Sequence, residues 1–248
     1  MRGSSRTFAL ALGASAVLGL AFASSSFASL TTSLVDDELR VASNAPNEVN
    51  RAVVELRDDG VGIADLRAGV SAGVCPVSGS AIVCGSAVLA NVERFRFDLR
   101  GGRDQLVIVD PRLIFLPKVR VFTGPQGDRA FTPFTRLRLL SLGPGDDFAQ
   151  TSLLADTVRG GDGDDNLEPG PGDDVVSGDS GDDIVRGGWR NDLARAFGRS
   201  DRRDRLLGGD GRDKVLAKDF TKDKRIDCGG GHDTLRRDRF DPNGKHCE

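Results

Sequence analysis

The chain has 248 residues, a formal charge of −3, 29% charged residues and only 6% aromatic residues, with no Tyr. This composition excludes a compact globule with a large aromatic core, and the near-balance of charge excludes a protein that is basic throughout. The balance hides one acidic block: residues 141–192 hold 12 Asp and one Glu against Arg159, Arg186 and Arg190, a local charge of −10. Such a block argues for a cation site rather than for nucleic-acid binding.

At the N-terminus Arg2 and Arg6 precede an apolar run over 8–23, and Ser26-Phe27-Ala28 places small residues where a signal peptidase reads. Residues 1–28 are therefore expected to be a signal peptide, the mature protein to be secreted, and no membrane span to remain after cleavage, since no other apolar run is long enough. Four cysteines in an exported chain predict two disulfides. Proximity pairs Cys75 with Cys84 and Cys228 with Cys247, although four cysteines allow three pairings.

Residues 29–98 read as an N-terminal β segment. Leu39-Arg40-Val41, Val53-Val54 and Ile63 lie in short apolar alternations cut by Asn44-Ala45-Pro46-Asn47 and Asp58-Asp59-Gly60. Residues 74–84 read as a hairpin closed by Cys75 and Cys84, and Phe95, Phe97 and Leu99 alternate as a strand does. Over 99–140 two irregular units follow: Leu99–Asp104 leads into Leu106, and Thr123–Asp128 into Ala130.

A strict period of nine then sets in. Asp147, Asp156, Asp165, Asp174, Asp183 and Asp192 are evenly spaced, and two residues after them come Ala149, Val158, Leu167, Val176, Val185 and Ala194. The fullest unit is Gly160-Gly161-Asp162-Gly163-Asp164-Asp165 followed by Asn166-Leu167-Glu168. Tandem units of this kind stack, because one alone buries too little apolar surface. The period continues with interruptions through Asp204, Gly208–Asp213, Ile226 and Cys228–Asp233.

At these residues the chain resembles the hemolysin-type (RTX) calcium-binding repeat family, and its layout is similar to small exported calcium-binding proteins of actinobacteria. The resemblance implies an all-β fold, a right-handed parallel β-roll over 141–236. Each six-residue turn would bind Ca²⁺, each three-residue tail would be a strand, and two repeats would complete one coil. The tail 237–248, tied by Cys228–Cys247, would cap the end. Glycine turns and carboxylates suit a hard cation that takes six to eight oxygens.

With two repeats per coil, turns ending at Asp147, Asp165 and Asp183 share one side and keep glycine at the fourth position: Gly145, Gly163 and Gly181. Together with Gly161 these are the strongest expected metal ligands. On the other side Gly172 and Asp174 form the best turn. Trp189-Arg190 spoil the turn of Asp192, and the turn ending at Asp156 has no glycine. Asp213 and Asp233 are a further candidate pair, set apart by an insertion.

No H-E-x-x-H, G-x-S-x-G or P-loop pattern occurs, and the histidines are His232 and His246 alone. The expectation is a monomeric calcium-binding protein without catalysis, with cell-surface polymers as a further partner. The competing readings are a structural or adhesive surface protein with degenerate repeats, and an enzyme with a site in 33–130.

Overall fold

The computed structural model describes residues 29–35, 38–43, 51–57, 60–65, 69–70, 77–78, 81–85, 92–108, 118–133, 137–195, 204–218, 220 and 222–247. The expected signal peptide and the Cys75–Cys84 bridge lie outside these residues. No helix occurs among them, and none is long and apolar enough to cross a membrane.

In chain order the strands are β1 (Ser29–Val35), β2 (Glu38–Ser43), β3 (Arg51–Arg57), β4 (Gly60–Asp65), β5 (Gly69–Val70), β6 (Val77–Ser78), β7 (Ala81–Gly85), β8 (Arg94–Asp98), β9 (Gln105–Ile108), β10 (Val119–Phe122) and β11 (Arg129–Phe131). They continue as β12 (Leu137–Pro144), β13 (Phe148–Gln150), β14 (Thr157–Asp162), β15 (Asn166–Glu168), β16 (Val175–Ser180) and β17 (Ile184–Trp189). The last are β18 (Leu193–Arg195), β19 (Arg205–Gly211), β20 (Lys214–Ala217), β21 (Arg225–Gly231) and β22 (Thr234–Arg237).

The strands form two 11-stranded sheets, and from β8 onward successive strands fall alternately into one and the other. The first runs β22-β20-β18-β16-β14-β12-β10-β8-β2-β1-β5, and the second runs β21-β19-β17-β15-β13-β11-β9-β3-β4-β7-β6. From β2 and β3 onward all neighbours are parallel, so the chain winds as a parallel β-solenoid with one strand per sheet per coil. The all-β parallel repeat architecture that the resemblance implied is the one observed. At the N-terminal end antiparallel pairs take over, β1 with β2 and β4 with β3 and β7. The hairpin expected over 74–84 is present in its backbone as β6 against β7.

The core follows from the alternation of side chains along a strand. Ala149, Val158, Leu167, Val176, Val185 and Ala194 point inward, each at most 1% exposed. They are aligned in register from coil to coil, Val158 beside Val176 and Leu167 beside Val185. The same ladder continues upstream through Phe95, Phe97, Leu106, Val121 and Ala130 and downstream through Leu206, Val215 and Ile226. At the C-terminal end the Cys228–Cys247 disulfide holds the tail with Cα atoms 5.1 Å apart across a separation of 19 residues. Closing a loop of that size contributes ~3 kcal/mol. Cys228 N–H donates to Lys245 O at 2.9 Å and Lys245 N–H to Ile226 O at 3.1 Å, so the tail extends the second sheet beside β21.

Stacked coils bring turn backbones into contact. Gly163 has φ 135°, and a Cβ there would strike the Gly145 carbonyl, just as one on Gly181 would strike that of Gly163. Replacing Gly163 by Ala is expected to lower stability by more than ~1 kcal/mol. Gly230→Ala, where a Cβ meets only the flexible Asp210 side chain at 2.9 Å, is expected to be close to neutral. Thermal unfolding of the two variants at one calcium concentration checks the contrast.

Candidate functional site

The turns on one side of the solenoid connect the first sheet to the second and end at Asp104, Asp128, Asp147, Asp165, Asp183, Asp204, Asp223 and Asp241. Each backbone N–H donates to the Oδ1 of the aspartate one coil further on. The distances are 2.7 Å for Asp104 to Asp128, 2.6 Å for Asp128 to Asp147, 2.9 Å for Asp147 to Asp165 and 2.9 Å for Asp165 to Asp183. The ladder continues at 2.8 Å to Asp204, 3.1 Å to Asp223 and 3.2 Å to Asp241. The opposite side repeats the device: Asp156 to Asp174 at 2.8 Å, Asp174 to Asp192 at 2.9 Å, Asp192 to Asp213 at 2.9 Å and Asp213 to Asp233 at 2.8 Å.

The candidate residues thus divide between the two sides as their spacing implied, and the two sides are long, continuous ladders. Asp213 and Asp233, separated in sequence by an insertion, stack directly. Asp223 and Asp241 escaped the sequence reading. After Asp223 the inward residue is Ile226, three positions on rather than two, because Lys224 is an extra residue. Both Lys224 and Arg225 donate their N–H to the Asp204 carbonyl.

Each ladder aspartate is buried. The second oxygen, Oδ2, of Asp147, Asp165, Asp174, Asp183, Asp192, Asp213 and Asp233 is buried without a hydrogen-bond partner. Burial raises five of these carboxyls far above the ordinary carboxylate range: Asp165 to about 9, Asp174 to about 8, and Asp147, Asp183 and Asp192 to about 7. Neighbouring carboxylates add to the effect, Asp183 and Asp147 on Asp165 among them. A buried carboxylate with one oxygen unmatched is costly, and a cation or a proton relieves it.

The first glycine of the fullest turns leaves room beside that oxygen. A Cβ on Gly160 would collide with Asp165 Oδ2 and lie 2.7 Å from the Gly178 carbonyl. Gly187 stands in the same relation to Asp192 and the Gly208 carbonyl, and Gly208 to Asp213 and the Cys228 carbonyl, while a Cβ on Gly178 would meet Asp183 Oδ2. Gly172, the fourth residue of its turn, faces both oxygens of Asp174 and the Leu154 carbonyl of the preceding coil. The space is lined by a carboxylate oxygen and by a carbonyl of a neighbouring coil. These are the donors a hard cation takes, so the residues present fit Ca²⁺. Gly160, Gly178, Gly187 and Gly208 were not among the sequence-derived candidates; their signal was the glycine at the first position of each turn. No point gathers three or more His, Cys, Asp or Glu side chains among the described residues, so the coordination sphere depends on backbone carbonyls.

The turn of Asp156 is built differently. Its Oδ2 accepts from Thr151 Oγ1 at 2.8 Å, from Ser152 N–H at 3.0 Å and from Ser152 Oγ at 3.0 Å. Hydroxyls occupy the place of the first two glycines and satisfy the carboxylate internally. A second, exposed ladder runs beside the first: Asp164 N–H donates to Asp146 Oδ1 and Asp182 N–H to Asp164 Oδ1, each at 3.0 Å. It ends at Lys224, whose Nζ lies 2.7 Å from Asp182 Oδ2.

Neither a curated protein nor a solved structure matches the chain. The family model of the RTX calcium-binding nonapeptide repeat does match, in 4 copies over residues 141–176 and 160–194. That segment contains the glycine turns with unmatched carboxylates on both sides of the solenoid. Residues 141–194 therefore carry nonapeptide repeats of the RTX calcium-binding type.

Proposed function

We propose that Ca²⁺ binds at Gly145, Asp147, Gly161, Gly163, Asp165, Gly181 and Asp183 on one side and at Gly172, Asp174, Asp192, Asp213 and Asp233 on the other, and that binding drives the solenoid to fold after export from the cell. The protein acts as a monomeric structural or binding module. The observation that carries the reading is the contrast between turns: the Oδ2 of Asp165, Asp183, Asp192 and Asp213, in turns that open on glycine, is unmatched, as is that of Asp147, Asp174 and Asp233, whereas Thr151 and Ser152 satisfy that of Asp156.

The energetics favour coupling to folding. Ligands that bind only the folded state stabilise it by RT ln(1 + [Ca²⁺]/Kd), ~1.4 kcal/mol per site at ten times Kd. Single sites are therefore weak, and several acting together decide the equilibrium. Kd values near 10⁻⁴–10⁻³ M, usual for extracellular modules, would leave the turns empty in cytoplasm and filled outside.

Calcium titration followed by circular dichroism and calorimetry tests this. A cooperative gain of β signal on adding calcium is expected, whereas a protein equally folded in chelator would overturn the coupling and leave the repeats as scaffold. Asp165→Asn is expected to weaken calcium binding about tenfold or more, because it removes ligand charge. Asp156→Asn is expected to leave calcium affinity unchanged and to lower metal-free stability by about 1–3 kcal/mol, since buried donors lose their acceptor.

Proton and calcium compete for the same oxygens. The folded-state pKa of Asp165, Asp174, Asp147, Asp183 and Asp192 is raised above the unfolded value of 3.8, so the folded chain binds more protons. Metal-free stability is therefore fullest below the unfolded value and is lost as pH rises through 7 to 9. Calcium binds the ionised carboxylates, so its contribution is lost as pH falls. Melting temperatures in chelator are expected to rise from pH 8 to pH 5, and the gap between calcium and chelator curves to close over the same range.

A further inference from the structure

We propose that the outward face of the first sheet binds a linear anionic polysaccharide along a column of arginines. The column is set by the register. Arg159 on β14 pairs with Ser177 on β16, Ser177 with Arg195 on β18, Arg195 with Leu216 on β20, and Leu216 with Arg236 on β22. Arginine thus recurs on every second strand, about 10 Å apart given the spacing of neighbouring strands. The residues between are Ser177 and Leu216, with no guanidinium to crowd the column.

The flanking outward column, from Thr157 through Val175, Leu193 and Lys214 to Thr234, adds one more cation and no carboxylate. Arg159 and Arg236 are exposed, and the buried Nε of Arg195 has no hydrogen-bond partner. Over the same coils the second sheet is different: Arg186 meets Glu168 at 2.7 Å and Arg225 meets Asp227 at 2.7 Å. From β14 to β22 of the first sheet the acids stand at the margin, at Asp162 and at Asp179, which accepts from Ser177 Oγ at 2.6 Å; the paired arginines of that sheet, Arg40 with Glu38 and Arg96 with Asp98, lie on β2 and β8.

A periodic row of unneutralised guanidiniums on a flat face complements a chain with regularly spaced anions. No aromatic ring stands among these positions from β14 to β22, so the base-stacking platform of single-stranded nucleic-acid binders is lacking. A polymer of sugars with a carboxylate on every second unit fits the alternation. The proposal rests on the calcium reading in one respect: the acidic turns beside the face repel a polyanion until calcium neutralises them, so calcium should strengthen binding as well as order the coils.

The test uses the full chain and hyaluronan, which carries a carboxylate on every second sugar, with dextran as the uncharged control and single-stranded DNA as the competing polyanion. Calorimetric titrations are run in calcium and in chelator, with circular dichroism of the same samples. Hyaluronan is expected to bind in calcium and dextran not to bind. The variant Arg159→Ala/Arg195→Ala/Arg236→Ala is expected to bind about tenfold more weakly or worse, from the loss of three charge contacts, and to show a shallower salt dependence. The corresponding Arg→Lys variant should restore most of the affinity, and all should keep the wild-type dichroism. Absence of binding by the folded protein, equal binding by the triple Ala variant, or tighter binding of DNA than of hyaluronan would overturn the proposal. A chain folded alike in calcium and chelator would refute calcium-driven folding alone, because the hyaluronan titration reads the face directly.

Discussion

Everything in this solenoid depends on a stack of buried carboxylates, each using one oxygen to hold the next coil. The Oδ1 of Asp183 accepts the N–H of Asp165, whose own Oδ1 accepts that of Asp147. Charge-assisted bonds of this type are short and strong, and they fix the rise from coil to coil at the turns as the parallel ladders fix it in the strands. The same stacking forces like charges close together in a region shielded from water. Attraction to the backbone and repulsion between carboxylates are therefore consequences of one arrangement, and a cation beside Oδ2 reconciles them.

Two aspartates have their second oxygen matched by the chain itself. At Asp156 the hydroxyls of Thr151 and Ser152 donate to the second oxygen, and at Asp182 the ammonium of Lys224 pairs with a ladder carboxylate from two coils further on. On the proposed reading, calcium belongs to turns where the second oxygen is left open and not to those where a side chain supplies hydrogen or charge. The glycines have two separable roles. Gly163 and Gly181 allow close approach of backbones at positive φ, whereas Gly160 and Gly178 keep space beside Asp165 and Asp183.

The two broad faces are free of the constraint that governs the turns. Their outward side chains vary without affecting the core, so charge can be distributed on them for another purpose. The arginine column of the first sheet and the acidic margin beside it place opposite charges on adjoining surfaces. Sequence proximity separates these features widely: Arg159 and Arg236 are 77 residues apart but share one column.

The sequence by itself determined the period of nine, the inward ladder of Val158, Leu167, Val176 and Val185, and the two-sided division of Asp147, Asp165 and Asp183 from Asp156, Asp174 and Asp192. These are legible because a parallel coil repeats the same environment at a fixed chain interval. It also placed the hairpin of β6 and β7 and the Cys228–Cys247 pair. Only the tertiary structure decided what depends on neighbours in the next coil. Asp213 meets Asp233 across an insertion, Asp223 joins its ladder despite the extra Lys224, and Asp156 is closed by hydroxyls while Asp165 stays open. The stacking continues on either side of the insertions, so spacing loses the register while hydrogen bonds between coils preserve it.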